Sequence, residues 1–157
     1  MSRELVEMIN LYYRVTPQWI AGFFDGEGCV HARIRHSWQQ SHIPPSVIVT
    51  LVQKDIRPLL IVQLKYPGAN GPRLYQGGGS AYILEWSGKN CIPLLTAIKD
   101  FVVVKKTQVE AGLELAGLIS DHGVRGQSVL GITSKRRWEL AEIIKGANNS
   151  KHAYAIR

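Results

Sequence analysis

Two carboxylates, Asp25 and Glu27, stand among small residues in "WIAGFFDGEGCV", Trp19 to Val30, where an apolar run at helical spacing gives way to a strand-like one. A helix ending near Gly26 presents unsatisfied carbonyls and a partial negative charge, so acidic side chains there are disfavoured by roughly 0.3–1 kcal/mol each. Something must offset that penalty. Carboxylate and backbone carbonyl oxygens are the ligands that a hard divalent cation takes, so Mg²⁺ or Ca²⁺ at this helix end is one chemistry the residues allow. The other is that both acids are solvated or paired with an arginine, and spacing alone leaves both open.

The rest of the chain bounds what such a site can serve. A length of 157 residues with 45% hydrophobic content predicts one compact domain over 1–157 with a core of its own. The formal net charge of +7 and a sequence pI of about 9.6 point to a polyanionic partner, nucleic acid before an anionic membrane face. The charge is unevenly placed: from Gly28 to Leu84 the one acidic residue is Asp55, against Arg33, Arg35, Lys54, Arg57, Lys65 and Arg73. Cys29 and Cys91 form no C-x-x-C pair and the five histidines show no H-x-x-x-H spacing, so neither a disulfide framework nor a zinc site is indicated, and a reducing intracellular location is expected. The N-terminal segment lacks the continuous apolar core of a secretory signal, and no apolar run is long enough to span a membrane.

The elements that must position the carboxylates follow from periodicity and punctuation. Ser2 can cap a short first helix with Leu5, Met8, Ile9 and Tyr12 on one face. Thr16-Pro17 opens a second helix, expected from Pro17 to about Gly26. "CVHARIRHSW" alternates Val30, Ala32 and Ile34 against His31, Arg33 and Arg35, a strand with one apolar and one basic face, and "SVIVTLVQK" pairs with it as an antiparallel partner. The second half repeats the plan: a helix capped by Asp55 and stopped at Pro67-Gly68, then "PRLYQ" and "AYILEWSG" as a hairpin around Gly77-Gly78-Gly79. Those glycines have no following Lys-Ser or Lys-Thr and form a turn, not a phosphate loop. Two further helices and a last one capped by Ser134 complete the chain. The expected fold is α+β, with an αββαββα core and one four-stranded antiparallel sheet.

"IAGFFDGEG", Ile20 to Gly28, resembles the signature of the LAGLIDADG homing endonucleases, matching it at Ala21, Gly22, Asp25 and Gly28, with Glu27 keeping a carboxylate where the signature has its second Asp. The resemblance covers roughly residues 16–120 and is nearest to the single-motif members that act as homodimers. It leaves an extra N-terminal helix over 1–15 and a divergent helical part over 122–157 without an assigned role, and the "SKRRW" start of the last helix is open between a DNA-backbone contact and a solvated helix start.

The resemblance implies that two signature helices pack together through Trp19, Ala21, Gly22, Phe23 and Gly26. It places both Glu27 carboxylates near the twofold axis with the Gly26 carbonyl as a further ligand, to hold Mg²⁺, with Ca²⁺ or Mn²⁺ able to substitute for binding. Asp25 supports the helix end. Gln53 is implied to order water near the metal and Lys105 to stand near the scissile phosphate, with Lys106 in reserve. Double-stranded DNA is the implied partner, read by the sheet face that carries His31, Arg33, Arg35 and Ser37 with their neighbours Ser46, Ile48 and Thr50, by Gln39 and Gln40 at the hairpin tip, and by Arg73 and Tyr75 of the second hairpin. Arg57 is expected at a phosphate. Trp38, Trp86 and Trp138 are expected to pack in the core or at edges. The activity implied is metal-dependent cleavage of a long, near-palindromic DNA target, and the alternatives are an RNA-splicing maturase or a DNA binder of the same fold that has lost its chemistry.

Overall fold

The computed structural model describes residues 3–34, 43–76, 79–121 and 131–153. Helix α1 (Arg3–Arg14) carries an Arg3–Glu7 pair at 3.2 Å one turn apart. Its inner face differs from the expected one, because Ile9 is exposed while Leu11 and Tyr12 pack on the core. Helix α2 (Pro17–Glu27) begins as its sequence requires: Pro17 occupies the first turn and the Thr16 hydroxyl accepts the Trp19 N–H at 3.2 Å. It ends one residue later than expected, so Glu27 is its last residue, and the chain passes directly into β1 (Gly28–Arg33).

Strand β2 (Ser46–Gln53) follows, then α3 (Ile56–Lys65), β3 (Asn70–Leu74) and β4 (Tyr82–Ser87). Asp55 caps α3 by accepting the Arg57 N–H at 3.0 Å. A 3₁₀ turn, Gly88–Cys91, leads into α4 (Ile92–Ile98), α5 (Lys106–Asp121) and α6 (Gly131–Ala153). The four strands form one antiparallel sheet in the order β1-β2-β4-β3, the α+β arrangement that the sequence predicts. Ser134 is not an N-cap, since α6 already includes Gly131.

The helices cover one face of the sheet. Val30, Val47, Val49, Leu51, Leu84 and Trp86 point into that layer and meet Ile20 and Phe24 of α2, Leu59 and Val62 of α3, and Val109 and Leu115 of α5. Each such side chain contributes about 1.5–3 kcal/mol by burial. Trp86 is core, as expected, and its indole N–H donates to the Tyr66 carbonyl at 2.9 Å. Neither Cys29 nor Cys91 is in a disulfide, and burial pushes the Cys91 thiol up to about 12.

The "SKRRW" arginines belong to the fold. The Arg136 guanidinium forks onto Glu114 of α5 at 2.6 and 2.9 Å. Arg137 is buried and donates to the carbonyls of Pro44 and Pro45 just before β2, at 3.0, 2.9 and 2.6 Å. Further along α6, the Asn148 amide donates to the Val30 carbonyl at 2.9 Å. β1 is an outer strand, and this bond satisfies one of its edge carbonyls while α6 lies alongside. No described helix is long and apolar enough to cross a membrane.

Two glycines of α5 separate packing from propensity. At Gly112 a Cβ would stand 2.7 Å from Val30 Cγ1, whereas at Gly117 it would meet nothing within 4 Å. Gly117→Ala should therefore raise unfolding stability by about 0.5–1 kcal/mol through helix propensity alone. Gly112→Ala should lower it by about 1 kcal/mol or more as overpacking outweighs the same gain. Chemical denaturation of both variants checks the opposite signs.

Candidate functional site

The carboxylate that looked misplaced at the C-terminus of α2 is used by the turn leading into α5. Asp25 Oδ2 accepts the N–H groups of Val103 at 2.7 Å and Val104 at 3.2 Å, and Oδ1 accepts that of Lys105 at 3.0 Å. Lys105 answers in the other direction. Its side chain is buried, and Nζ donates to the carbonyls of Phe24 at 2.8 Å and Asp25 at 2.7 Å. The anion thus lies at a helix entrance and the cation at a helix exit, the two placements that the backbone dipoles favour.

This exchange fixes the helix end that carries Glu27. The Gly28 N–H returns to the Phe24 carbonyl, and Lys105 occupies the Phe24 and Asp25 carbonyls, so Gly26 supplies the next carbonyl along. Glu27 and Gly26 are both exposed. Gln53 closes β2 at the same end of the sheet, since Gly28 pairs with Leu51, and its Oε1 accepts the Lys54 N–H at 2.7 Å. Glu27, Gln53 and Lys105 therefore come to one end of the sheet from α2, β2 and the entrance to α5. No group of three or more His, Cys, Asp or Glu side chains gathers among the described residues. One carboxylate and one helix-end carbonyl form a small all-oxygen donor set, which fits a hard cation such as Mg²⁺ that keeps water and phosphate oxygens in its shell.

The sheet's uncovered face is polar and begins beside this corner. The register sets His31 opposite Ile48, Arg33 opposite Ser46 and Cys29 opposite Thr50, which are the neighbours expected from alternation. Arg73 pairs with Ile83, and the Tyr75 N–H bonds the Ala81 carbonyl at 2.8 Å, so both continue that face from the second hairpin. Ile48 and Thr50 lie on the face but form its floor, at 9% and 8% exposure, whereas Arg33 and Arg73 project from it. Arg35, Ser37, Trp38, Gln39 and Gln40 lie outside the described residues. Arg57 is exposed but engaged: its guanidinium grips Asp55 at 2.5–3.0 Å, which holds that carboxyl below the usual range.

Sequence reasoning passed over Glu85. It sits in β4 between the two hairpins' arginines, 3.5 Å from Arg33 Nη2 and 3.5 Å from Arg73 Nη2. The alternation of "YILEWS", with Leu84 and Trp86 buried, carries the signal that places Glu85 on the opposite face. The His31 ring has an exposed edge, but surrounding protein desolvates it and lowers its pKa below the ordinary imidazole value, with the Glu85 charge pulling the other way.

A second exposed surface runs along α2. Exposed Trp19, Gly22 and Gly26 recur at helical intervals with half-buried Phe23, whose ring lies 5.2 Å from that of Trp19 and packs on the core, and a Cβ at Gly22 or Gly26 would meet nothing within 4 Å. Ala21 does not belong to this stripe. It is fully buried and faces the chain's own core with Ile20 and Phe24.

No protein-family model matches the chain, and no curated protein matches it. Solved structures do. The archaeal intron-encoded homing endonuclease I-Vdi141I, complexed with DNA, superposes with a TM-score of 0.69 at 19% identity, over 83% of this chain and 82% of its own. The chain has the LAGLIDADG homing-endonuclease fold. I-TnaI gives a TM-score of 0.61 at 16% identity over 87% of this chain and 97% of its own. I-CvuI, in complex with its target in the presence of calcium, gives 0.59 at 16% identity over 85% and 90%. Within this LAGLIDADG fold the signature helix is α2, and the Asp25–Lys105 exchange ties it to α5.

Because both partners of that exchange end on backbone groups that need it, each single change should be costly. Asp25→Asn and Lys105→Met should each lower unfolding stability by about 1–3 kcal/mol, and the double variant should lose clearly less than the sum. Denaturant titration of the four proteins measures the coupling.

Proposed function

We propose that the chain is a homodimeric, sequence-specific DNA endonuclease that makes double-strand breaks by Mg²⁺-dependent phosphodiester hydrolysis. What supports this reading is that Glu27, Gln53 and Lys105 belong to segments that end at one end of a sheet whose open face projects Arg33 and Arg73. A chain with a net charge of +7 has the electrostatics to approach a polyanion. The similar I-Vdi141I and I-CvuI structures are DNA complexes, the second with calcium present.

In this mechanism, Glu27 and the Gly26 carbonyl would hold the cation at the exposed end of α2. When bound, Mg²⁺ supplies Lewis-acid charge at the phosphate and lowers the pKa of a coordinated water. Lys105 fixes the helix end that presents Glu27 and adds positive charge beside it, where negative charge develops during hydrolysis. Gln53, at the end of β2, offers an amide that can orient water through donor and acceptor together. Each hairpin is a two-stranded antiparallel ribbon, an element that a major groove admits, and Arg33 and Arg73 are suited to guanine edges.

The stripe of exposed Trp19, Gly22 and Gly26 with half-buried Phe23 is the proposed dimer seam. Glycines there allow close backbone approach, and a second copy brings a second Glu27 to the same axis. A homodimer uses each reading residue twice, so its target should be near-palindromic.

Two experiments test the proposal. Glu27→Gln should abolish Mg²⁺-dependent cleavage of a selected target while leaving sequence-specific binding of that duplex, measured without divalent cation, intact. Wild-type cleavage by this variant would overturn the assignment. Gly22→Ala should leave the isolated fold as stable or stabilise it by up to about 1 kcal/mol, yet weaken self-association in sedimentation, because its Cβ is open in the single chain and crowded only at the seam.

A further inference from the structure

Resting on the reading above, we propose that Glu85 is a specificity-determining positioning residue: it holds Arg33 and Arg73 ready for base edges and denies the same face to phosphates. The feature that carries the inference is one carboxylate reaching both outer strands. Glu85 lies on inner strand β4, with Thr50 as its neighbour in β2 and Asn70 as its neighbour in β3. Oε1 is 3.5 Å from Arg33 Nη2 of β1, and Oε2 is 3.5 Å from Arg73 Nη2 of β3. The guanidinium-bearing side chains remain 45% and 52% exposed, against 17% for Glu85. They lean inward from opposite edges toward a recessed negative charge.

That placement works against general DNA affinity. A carboxylate in the middle of a face that receives a polyanion is repelled by every phosphate, whatever the sequence, and it draws two arginines away from backbone contacts that would release counterions. It works in favour of discrimination. An arginine already held in one arrangement loses less conformational freedom on binding, and with one edge of its guanidinium turned to Glu85 it keeps other N–H groups for the O6 and N7 of guanine. A shallow concavity lined by Arg73, Tyr75, Ile83 and Glu85 leaves the approach from the groove side open. A carboxylate that lowers affinity for all duplexes while ordering two readers is a device for specificity, since discrimination is a difference between affinities.

The test uses Glu85→Gln, which keeps shape and removes charge, and Glu85→Asp, which keeps charge and shortens reach, each compared with wild type. Each protein is put through selection from a randomised duplex library with Ca²⁺ present, and its binding to a random duplex is titrated across salt concentrations. Glu85→Gln should bind the random duplex about tenfold more tightly, with a log–log salt slope steeper by about 1–2 as the released arginines reach phosphates. It should also lose about tenfold of the guanine preference at the positions where Arg33→Ala and Arg73→Ala lose theirs. Glu85→Asp should fall between Glu85→Gln and wild type in both readouts. An unchanged salt slope and an equally sharp selected site in the two Glu85 variants, even with lowered melting temperatures, would make Glu85 merely structural and overturn the inference. If wild type itself selects no sequence, the endonuclease reading fails, whereas a sharp wild-type site with insensitive Glu85 variants sinks this inference alone.

Discussion

The constraint on which the rest of the structure depends is the reciprocal capping between α2 and the entrance to α5. A helix end leaves carbonyls without partners, and a helix entrance leaves N–H groups without partners. Here Asp25 serves three N–H groups of residues 103–105, and Lys105 serves two carbonyls of residues 24 and 25. Each charged side chain crosses to the other element, so both desolvation penalties are met by charge-assisted hydrogen bonds. Because Glu27 is two residues from Asp25 and β1 starts at Gly28, this one exchange sets the end of the signature helix and the start of the sheet together. A close contact reinforces the corner: a Cβ at Gly28 would lie 2.3 Å from the buried Phe24 ring.

The sheet depends on the same corner at one end and on the last helix along its edge. β1 is an outer strand, yet it carries the signature junction and the basic face, so its register has to be stable. α6 supplies that stability through Asn148 on the Val30 carbonyl, Arg137 on the Pro44 and Pro45 carbonyls, and the Arg136–Glu114 fork to α5. Basic residues that composition would assign to a polyanion are here tied to backbone carbonyls and a carboxylate.

Much of the architecture was legible in the sequence. Thr16-Pro17 set the start of α2, Asp55 capped α3, and the alternation in "HARIR" and "SVIVT" put His31 and Arg33 on one face with Ser46, Ile48 and Thr50. These succeed because capping and strand alternation are local: a side chain a few residues away, or a period of two, decides them. Pairing Arg73 with Ile83 resolved the face of the second hairpin, which alternation alone left open. The Ser134 cap failed because a Ser followed by charged residues looks the same inside a helix as at its start.

What the sequence by itself determined is the set of elements, their order, their apolar and basic faces, and the presence of a signature whose carboxylates stand at a helix end. What only the tertiary structure decided is the partner of each charge. Asp25 finds its donors some 78–80 residues away, Arg137 finds carbonyls 92–93 residues away, and Glu85 meets two arginines on strands to either side of it. Ala21, indistinguishable by type from an interface residue, turns inward because the stripe of Ile20, Ala21 and Phe24 is the one that the sheet and α4 cover. The physical reason is common to all four: local propensity acts over one turn or one pleat, whereas electrostatic pairing and burial depend on which distant segments the packed core brings into contact.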